Sequence, residues 1–426
     1  MKMTFSEKLK KLVENDLSKM MGKPVTNKRL WLWMVVDFFL IQLFIGPCNV
    51  LIWRGGWELY DLIFGENLNT GIILFILGVL LSIPVIIYSL NLSIFAEEIL
   101  MDEDYGRGSF RYMFLTQSYS AVSLFVMLLF WKGWWDIWLG FPYFDISAED
   151  LQHDDHWYFS LGCFVIGSFI LLYLGCFKTV AESPPIGLWL NTSIKYVHVE
   201  RFYNDEDEVK KSMKFRFINA VLTMIIEVIA LATYYGAFSL IDDWFHLKIV
   251  DIYGSTTFYA SGYLLVCALL LSGVSYVLSI LYLYIFYEVQ SKYLNSTVKN
   301  LLYDIILLVS VVATAMHDHA WWEFTDVVKS QSFWKQTAYP ELIFLTFGFL
   351  ITIFLGVGSG NHFGITSESR KEQDGVLFPF IYLTYILGDQ KDSEGDKSNT
   401  VVEDHIVHFK EESPSSMMGR CKSSDS

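Results

Sequence analysis

Eight apolar stretches, each close to the length that crosses a lipid bilayer, constrain how this 426-residue chain can fold. A bilayer core of about 30 Å requires roughly 20 predominantly apolar residues in a helix. Hydrophobic residues make up 53% of the chain and aromatic residues 17%, more than a soluble globular protein usually contains. The sequence therefore predicts an all-α, polytopic membrane helix bundle with eight transmembrane helices. The stretches lie near residues 31–52, 71–91, 112–131, 157–177, 215–238, 258–287, 301–316 and 341–358.

Lysine and arginine are distributed unequally between the two sides that eight crossings create. The side that includes both termini holds 26 of these residues, and the opposite side holds 5. Cytoplasmic loops of membrane proteins carry an excess of Lys and Arg. We therefore expect both termini in the cytoplasm and the four acidic connections, at 53–69, 132–156, 239–257 and 317–340, on the exoplasmic side.

Composition divides the chain into five parts. Polar segments at both ends and one long polar connection separate two apolar halves, and the C-terminal segment is rich in Ser, Glu and Lys, a composition typical of disorder. The parts are a basic cytoplasmic segment (1–29), a first transmembrane half (30–177), a cytoplasmic loop (178–214), a second transmembrane half (215–360) and a cytoplasmic, partly disordered tail (361–426).

A short element of aromatic, cation, glycine, aromatic and acid occurs four times along the chain, and its third copy is eroded, with Tyr235 and Ser239 in place of the cation and the acid. The copies occupy residues 53–61, 131–138, 234–242 and 318–326. The glycines of the first two copies are 78 residues apart, and the corresponding positions of the last two are 84 residues apart. This period equals two membrane helices with their loops, and every copy follows an odd-numbered span. The spacing therefore predicts four parallel two-helix pseudo-repeats.

The repeated element has both a structural and a recognition interpretation. Glycine allows close helix approach or a positive φ angle, and indole rings favour the membrane interface. Its cation and acid are four residues apart, which allows pairing across one helical turn. The pattern favours a structural turn, with ligand or partner recognition as the alternative. The residues singled out are Trp53, Arg54, Gly55, Trp57, Glu58, Asp61, Trp131, Lys132, Gly133, Trp135, Asp136, His319, Trp322, Glu323 and Asp326.

Three acidic residues fall inside predicted spans, away from the residues that begin and end them. Glu227 is the most central, whereas Asp37 and Asp304 lie nearer the cytoplasmic ends. A buried carboxyl group in a membrane is costly, so we expect each to face the bundle interior and to have a partner. A proton-linked or cation-linked relay is the functional interpretation. The structural interpretation is that the two aspartates lie within reach of interfacial water and that Glu227 forms hydrogen bonds between helices.

Histidines next to aspartates form weak candidate metal sites. His153 and His156 flank two aspartates, and His317 and His319 flank one. Imidazole and carboxylate are ordinary ligands of zinc and copper. However, His319 occupies the position held by Arg54 in the first copy, which explains it as a polar or cationic residue. We therefore predict neither a metal site nor a cofactor.

The sequence contains no recognisable catalytic constellation. It has no phosphate-binding loop, no His-Glu-x-x-His and no Gly-x-Ser-x-Gly motif. The glycine-rich run 356–360 lacks the last glycine of a dinucleotide fingerprint and follows a membrane span rather than a strand. We therefore predict that the protein is not an enzyme, and we expect no nucleic acid among its partners.

The first copy of the element, its repeat at 131–138 and the His-Asp-His-Ala-Trp-Trp-Glu stretch of 317–323 resemble the fuseless family of invertebrate eight-pass membrane proteins. The resemblance covers roughly residues 30–360. It implies a neuronal, presynaptic protein of the plasma membrane that organises calcium channels and regulates synaptic transmission. The expected partners are the lipid bilayer and a presynaptic calcium channel or other membrane proteins.

A transporter is the alternative function. The pseudo-repeats, the acidic outer side and Glu227 favour passage of a small cationic or zwitterionic solute, with Glu227 in the pathway. Parallel repeats do occur in transporters. However, no predicted span is interrupted by Gly and Pro in the way expected of a binding site at the membrane centre.

Overall fold

The computed structural model of this chain describes most of the two predicted transmembrane halves. It describes residues 30–65, 67–101, 110–140, 153–181, 212–250, 252, 258–284, 296–331 and 339–354. Within these ranges all regular structure is helical, which confirms the predicted all-α class. The predicted N-terminal segment 1–29 and tail 361–426, and most of the loop 178–214, lie outside the described residues.

Ten α-helices and two π-helical turns make up the described part of the chain. The π-helical turn Ile41–Ile45 joins the first two helices into one continuous rod, and the turn Phe245–Val250 extends the seventh. In chain order the helices are α1 (Leu30–Leu40), α2 (Gly46–Phe64), α3 (Leu68–Met101), α4 (Phe110–Gly140), α5 (His153–Leu174), α6 (Lys178–Ala181), α7 (Met213–Trp244), α8 (Phe258–Tyr284), α9 (Ser296–Lys329) and α10 (Pro340–Phe354).

Local sequence signals explain where two of these helices begin and end. Helix α2 has a proline in its first turn, directly after the π-helical turn, where the missing N–H accompanies the change in backbone hydrogen bonding. It ends at Gly65, whose φ of 77° is accessible to glycine and whose N–H donates to the carbonyl of Asp61 at 2.9 Å. Helix α7 begins after Ser212, whose hydroxyl accepts the N–H of Phe215 at 3.4 Å.

Six helices in the described ranges are long and apolar enough to cross a membrane, so the chain is a multi-pass membrane protein. The predicted run 112–131 lies within helix α4, which is not one of the six. The run 341–358 overlaps helix α10, which is apolar but has only 15 residues. Eight crossings therefore remain a prediction. The crossing helices are Met34–Phe64, Leu68–Tyr88, Trp157–Leu174, Met213–Trp244, Phe258–Tyr282 and Leu301–Lys329.

The helices pack in four extensive pairs. Helix α3 packs on α4, α5 on α7 and α8 on α9, and the last helix, α10, packs on α2 near the start of the chain. The second member of each pair, namely α4, α7, α9 and α2, carries one copy of the repeated element at its C-terminal end. The second, third and fourth copies therefore pack against the preceding long helix of the chain, and the first copy packs against the last helix.

Glycines of the repeated element bring three of these helix pairs into backbone contact. A Cβ atom added at Gly55 would lie 2.5 Å from the carbonyl oxygen of Glu341 and 2.5 Å from the nitrogen of Leu345. At Gly236 the corresponding atoms are the oxygen of Ser160 and the nitrogen of Phe164, also four residues apart and both at 2.5 Å. Gly133 meets Gly71 and Phe75 in the same way, at 2.7 Å and 2.2 Å. The close approach of the two helix backbones explains why glycine occupies this position in the three copies.

We expect Gly55→Leu to lower the level of protein at the cell surface several-fold. The added side chain meets the backbone of α10, which cannot rotate away, and overpacking of this kind costs about 1–3 kcal/mol or more. Gly262→Leu is the matched control, because a Cβ at Gly262 in α8 has no atom of the described residues within 4 Å. Surface biotinylation compares the two, and equal levels would show that the close approach at Gly55 is incidental.

Candidate functional site: the aromatic square and its ion pairs

The four copies of the repeated element meet one another where the helices that carry them come together near their C-terminal ends. Trp57, Trp135, Phe238 and Trp322 hold the same position in the four copies and form a closed set that we call the aromatic square. Their ring centroids lie 5.4, 5.5, 6.4 and 6.1 Å apart around the square, with interplanar angles between 79° and 89°. Edge-to-face contacts of this kind contribute about 0.5–1.5 kcal/mol each beyond burial.

A second layer of contacts lies one helical turn before the aromatic square. Trp53 contacts Trp131 at 5.1 Å between ring centroids, and Trp131 contacts Tyr234 at 5.8 Å. The hydroxyl of Tyr234 donates a hydrogen bond to Oδ2 of Asp318 at 2.6 Å. These four residues also hold one equivalent position in the four copies. In this layer, as in the aromatic square, the first copy contacts the second, the second contacts the third and the third contacts the fourth.

The contact between the first and second copies contains a buried lysine. Lys132 is 1% exposed and pairs with Asp136 of its own copy and, at 2.6 Å, with Asp61 of the first copy. Its ammonium nitrogen also lies 5.3 Å from the ring centroid of Trp57. A buried cation is stable only when it is paired and hydrogen-bonded, so the fold depends on these two carboxylates.

The contact between the fourth and first copies follows the same plan. Arg54 pairs with Glu58 of its own copy at 2.5 Å and with Asp326 of the fourth copy. Its guanidinium carbon lies 4.2 Å from the ring centroid of Trp322. Lys329 extends the network, because it pairs with Glu58 at 2.5 Å and lies 3.6 Å from a carboxylate oxygen of Glu341.

The two remaining contacts vary this plan. In the fourth copy His319 takes the cation position, and its Nε2 lies 3.4 Å from Oδ1 of Asp242 in the third copy. In the third copy Tyr235 takes the cation position and packs edge to face on Trp135 at 4.7 Å. Leu139 stands where the first, third and fourth copies have an aspartate. The third copy, which has no cation, therefore contacts the second copy, which has leucine in place of the aspartate that a cation would pair with.

The contacts across copies were the part of the site that sequence reasoning missed. Spacing within one copy suggested pairs four residues apart. In the structure, Arg54, Lys132 and His319 also contact an aspartate of another copy. One signal was available, since Asp61, Asp242 and Asp326 all stand six residues after the glycine position. Lys329 lies outside the repeated element, and no repeat position pointed to it.

The acidic residues inside the spans do not join the aromatic square. Asp37 and Glu227 are buried, at 0% and 3% exposure, and Asp304 is half-buried. Glu227 stands 11 residues before Phe238 on α7, a spacing that places both on one face of the helix. It therefore lies about three turns away from the square.

The histidines proposed as weak metal ligands have different surroundings. His317 is buried, and its Nε2 lies 2.8 Å from the carbonyl oxygen of Gln42 in the π-helical turn Ile41–Ile45. A π-helical turn shifts the backbone hydrogen bonds, and this contact gives the carbonyl a side-chain partner. Helix α5 begins at His153, but the side chains of His153 and His156 are outside the described part of the chain.

Comparison with known proteins identifies one family. The family model described as Fuseless matches residues 32–357, which confirms the resemblance carried by the repeated element. The match includes all four copies and every helix pair described above. No curated protein and no solved structure matches the chain.

Proposed function

Because this chain belongs to the Fuseless family, we propose that it is a non-enzymatic multi-pass membrane protein that organises presynaptic calcium channels and thereby regulates synaptic transmission. In this proposal the chain crosses the neuronal plasma membrane eight times as four pseudo-repeats. Both termini and the loop 178–214 face the cytoplasm, where they contact the channel or its scaffold.

One observation carries the proposal: the charged groups of the repeated element pair with one another across copies. Lys132 binds two carboxylates, and Arg54 binds two others. A catalytic or substrate-binding group is instead expected to point toward the place of a reacting or bound molecule. The paired charges therefore support a role of the site in holding the helices together.

The outer surface of the helices supports lateral contacts in the membrane. Large apolar side chains with more than half of their surface exposed lie on several helices, for example Phe44, Phe169, Leu270 and Phe347. Exposed apolar surface of this extent suits lipid or another membrane helix. A rigid centre with an apolar exterior is a suitable scaffold for a second membrane protein.

We expect loss of this protein to reduce the density of calcium channels at presynaptic release sites. Wild-type protein should restore the density in a null background. A variant in which a flexible linker of equal length replaces residues 182–211 of the loop keeps helix α6 and the cap of α7 at Ser212. It should reach the surface and restore less, because the proposed channel contact is removed. Gly262→Leu serves as the expression control. Normal channel density in null animals would refute the organising role.

Transport of a small cationic or zwitterionic solute is the second candidate, and the burial of Glu227 favours it. Burying a carboxyl group to 3% exposure within a predicted span is costly, so such residues in spans are often functional. Against it, the edge-to-face contacts of the aromatic square occupy the centre at the outer end, so a solute would have to separate the rings. Uptake into proteoliposomes that Glu227→Gln abolishes would favour transport over the scaffold.

A further inference from the structure

Three side chains with metal-ligating atoms lie together where the third and fourth copies meet, and a fourth side chain lies against one of them. Asp242 lies in the last turn of helix α7, His246 lies in the π-helical turn Phe245–Val250, and Glu323 lies on α9. One ligand atom from each of these three lies within 4.8 Å of the other two. The fourth side chain is that of His319, also on α9, whose Nε2 lies 3.4 Å from Oδ1 of Asp242.

The imidazole of His319 distinguishes this cluster from an ordinary acidic surface. It is 1% exposed and lies between the rings of Phe238 and Phe245, whose centroids are 5.0 and 5.3 Å away. Within the described ranges, neither of its ring nitrogens makes a hydrogen bond. A buried polar group without a hydrogen bond is destabilising, and coordination of a metal ion through Nε2 removes that cost for one of the two nitrogens.

The ligand types fit one metal in particular, and the two ligand separations that involve Oδ1 of Asp242 agree with it. Imidazole nitrogen favours Zn²⁺ over Ca²⁺ and Mg²⁺, which prefer oxygen ligands. Tetrahedral Zn²⁺ holds N and O ligands at about 2.0–2.2 Å, so neighbouring ligand atoms stand roughly 3.3–3.5 Å apart. The Nε2 atoms of His246 and His319 lie 3.3 Å and 3.4 Å from Oδ1 of Asp242. We propose that Asp242, His246, His319 and Glu323 bind one Zn²⁺ ion.

The position of the cluster within the repeated element gives the ion a structural role. The first and second copies place Arg54 and Lys132 in the position of His319. Arg54 pairs with Asp326 of the fourth copy, and Lys132 pairs with Asp61 of the first copy. A neutral imidazole supplies no positive charge to Asp242. The Zn²⁺ ion supplies that charge and links α7 to α9, as the side-chain cations link the helices in the other two contacts.

The cluster is accessible from one side. The side chains of Asp242 and His246 are 43% and 44% exposed, whereas His319 and Glu323 are buried. An ion can therefore reach the two exposed ligands from solvent and complete its coordination on the two buried ones. The π-helical turn supports this arrangement, because such turns recur at functional sites.

The experiment measures Zn²⁺ binding to the full-length protein, purified in detergent without a histidine tag. Isothermal titration with ZnCl₂ should give one site per chain, and saturating Zn²⁺ should raise the midpoint of thermal unfolding by several degrees. His246→Asn, at the exposed rim, should weaken binding by at least 10-fold without preventing folding. His153→Asn combined with His156→Asn should bind Zn²⁺ as the wild type does.

A second variant uses the equivalence of the copies. His319→Lys places the ammonium group of the second copy opposite Asp242, so this variant should remain folded and its unfolding midpoint should no longer respond to Zn²⁺. Unchanged Zn²⁺ affinity in either His246→Asn or His319→Lys would overturn the proposal. So would loss of binding in the His153 and His156 double variant alone, or a wild-type protein that binds no Zn²⁺.

Discussion

Lys132→Met is expected to destabilise the protein by about 3–5 kcal/mol, because it leaves two carboxylates without their shared cation. Asp136 has only 2% of its side chain exposed and Asp61 27%, so water can solvate neither fully. Chemical unfolding in detergent, followed by tryptophan fluorescence, measures the change. Lys214→Met is the control, because Lys214 is exposed at the start of α7 and should change stability by less than about 0.5 kcal/mol.

The third copy suggests how to recover that loss. Its contact with the second copy uses Tyr235 as the cation replacement, Ser239 as the acid replacement and Leu139 opposite. Lys132→Tyr combined with Asp136→Ser and Asp61→Leu transfers this arrangement to the first contact. We expect this triple variant to be more stable than Lys132→Met. A triple variant no more stable than Lys132→Met would show that the contacts are not interchangeable.

Arg54→Glu is expected to have an effect of at least similar size. The new carboxylate faces Glu58 and Asp326, which the arginine now neutralises, and it loses the cation–π contact with Trp322. We expect a loss of about 3–5 kcal/mol and little protein at the cell surface. Both are measured against the wild type, by unfolding and by surface biotinylation. If Arg54→Glu changes neither the stability nor the level of protein at the cell surface, Arg54 is a solvated surface residue.

The two possible charge swaps should give different results. Spacing within the first copy predicts that Glu58→Arg partly restores Arg54→Glu. The structure alters this prediction, because an arginine at position 58 would face Lys329, which now pairs with Glu58 at 2.5 Å. We therefore expect Asp326→Arg to restore Arg54→Glu better than Glu58→Arg does. Equal restoration by both would contradict the assigned partners.

Sequence patterns predicted the helices well, because a membrane span has a length and composition that can be read directly. The apolar runs near 157–177 and 258–287, for example, correspond to α5 and α8. Helix α10 was harder, since its 15 apolar residues fall short of the usual span. Spacing also suggested the pairs of Arg54 with Glu58 and of Lys132 with Asp136, because residues four apart on a helix are neighbours.

The rest of the site depends on how distant helices pack, and no local pattern encodes that. Arg54 and Asp326 are 272 residues apart in the chain, and their contact requires the first and fourth copies to be neighbours. The sequence places α2 beside α3, whereas in the structure its most extensive contact is with α10. The glycine at position 55 marks a close contact, but only the structure identifies the helix that makes it.

The coupling free energy between Arg54 and Asp326 tests most directly whether the four copies form one closed set. A double-mutant cycle uses Arg54→Ala, Asp326→Ala and the double variant, each unfolded under identical conditions. A contact between the first and fourth copies predicts a coupling of at least about 1 kcal/mol. A cycle on Arg54 and Asp242, which pairs with His319 instead, provides the reference. Coupling between Arg54 and Asp326 no larger than that reference would mean that the first and fourth copies do not meet.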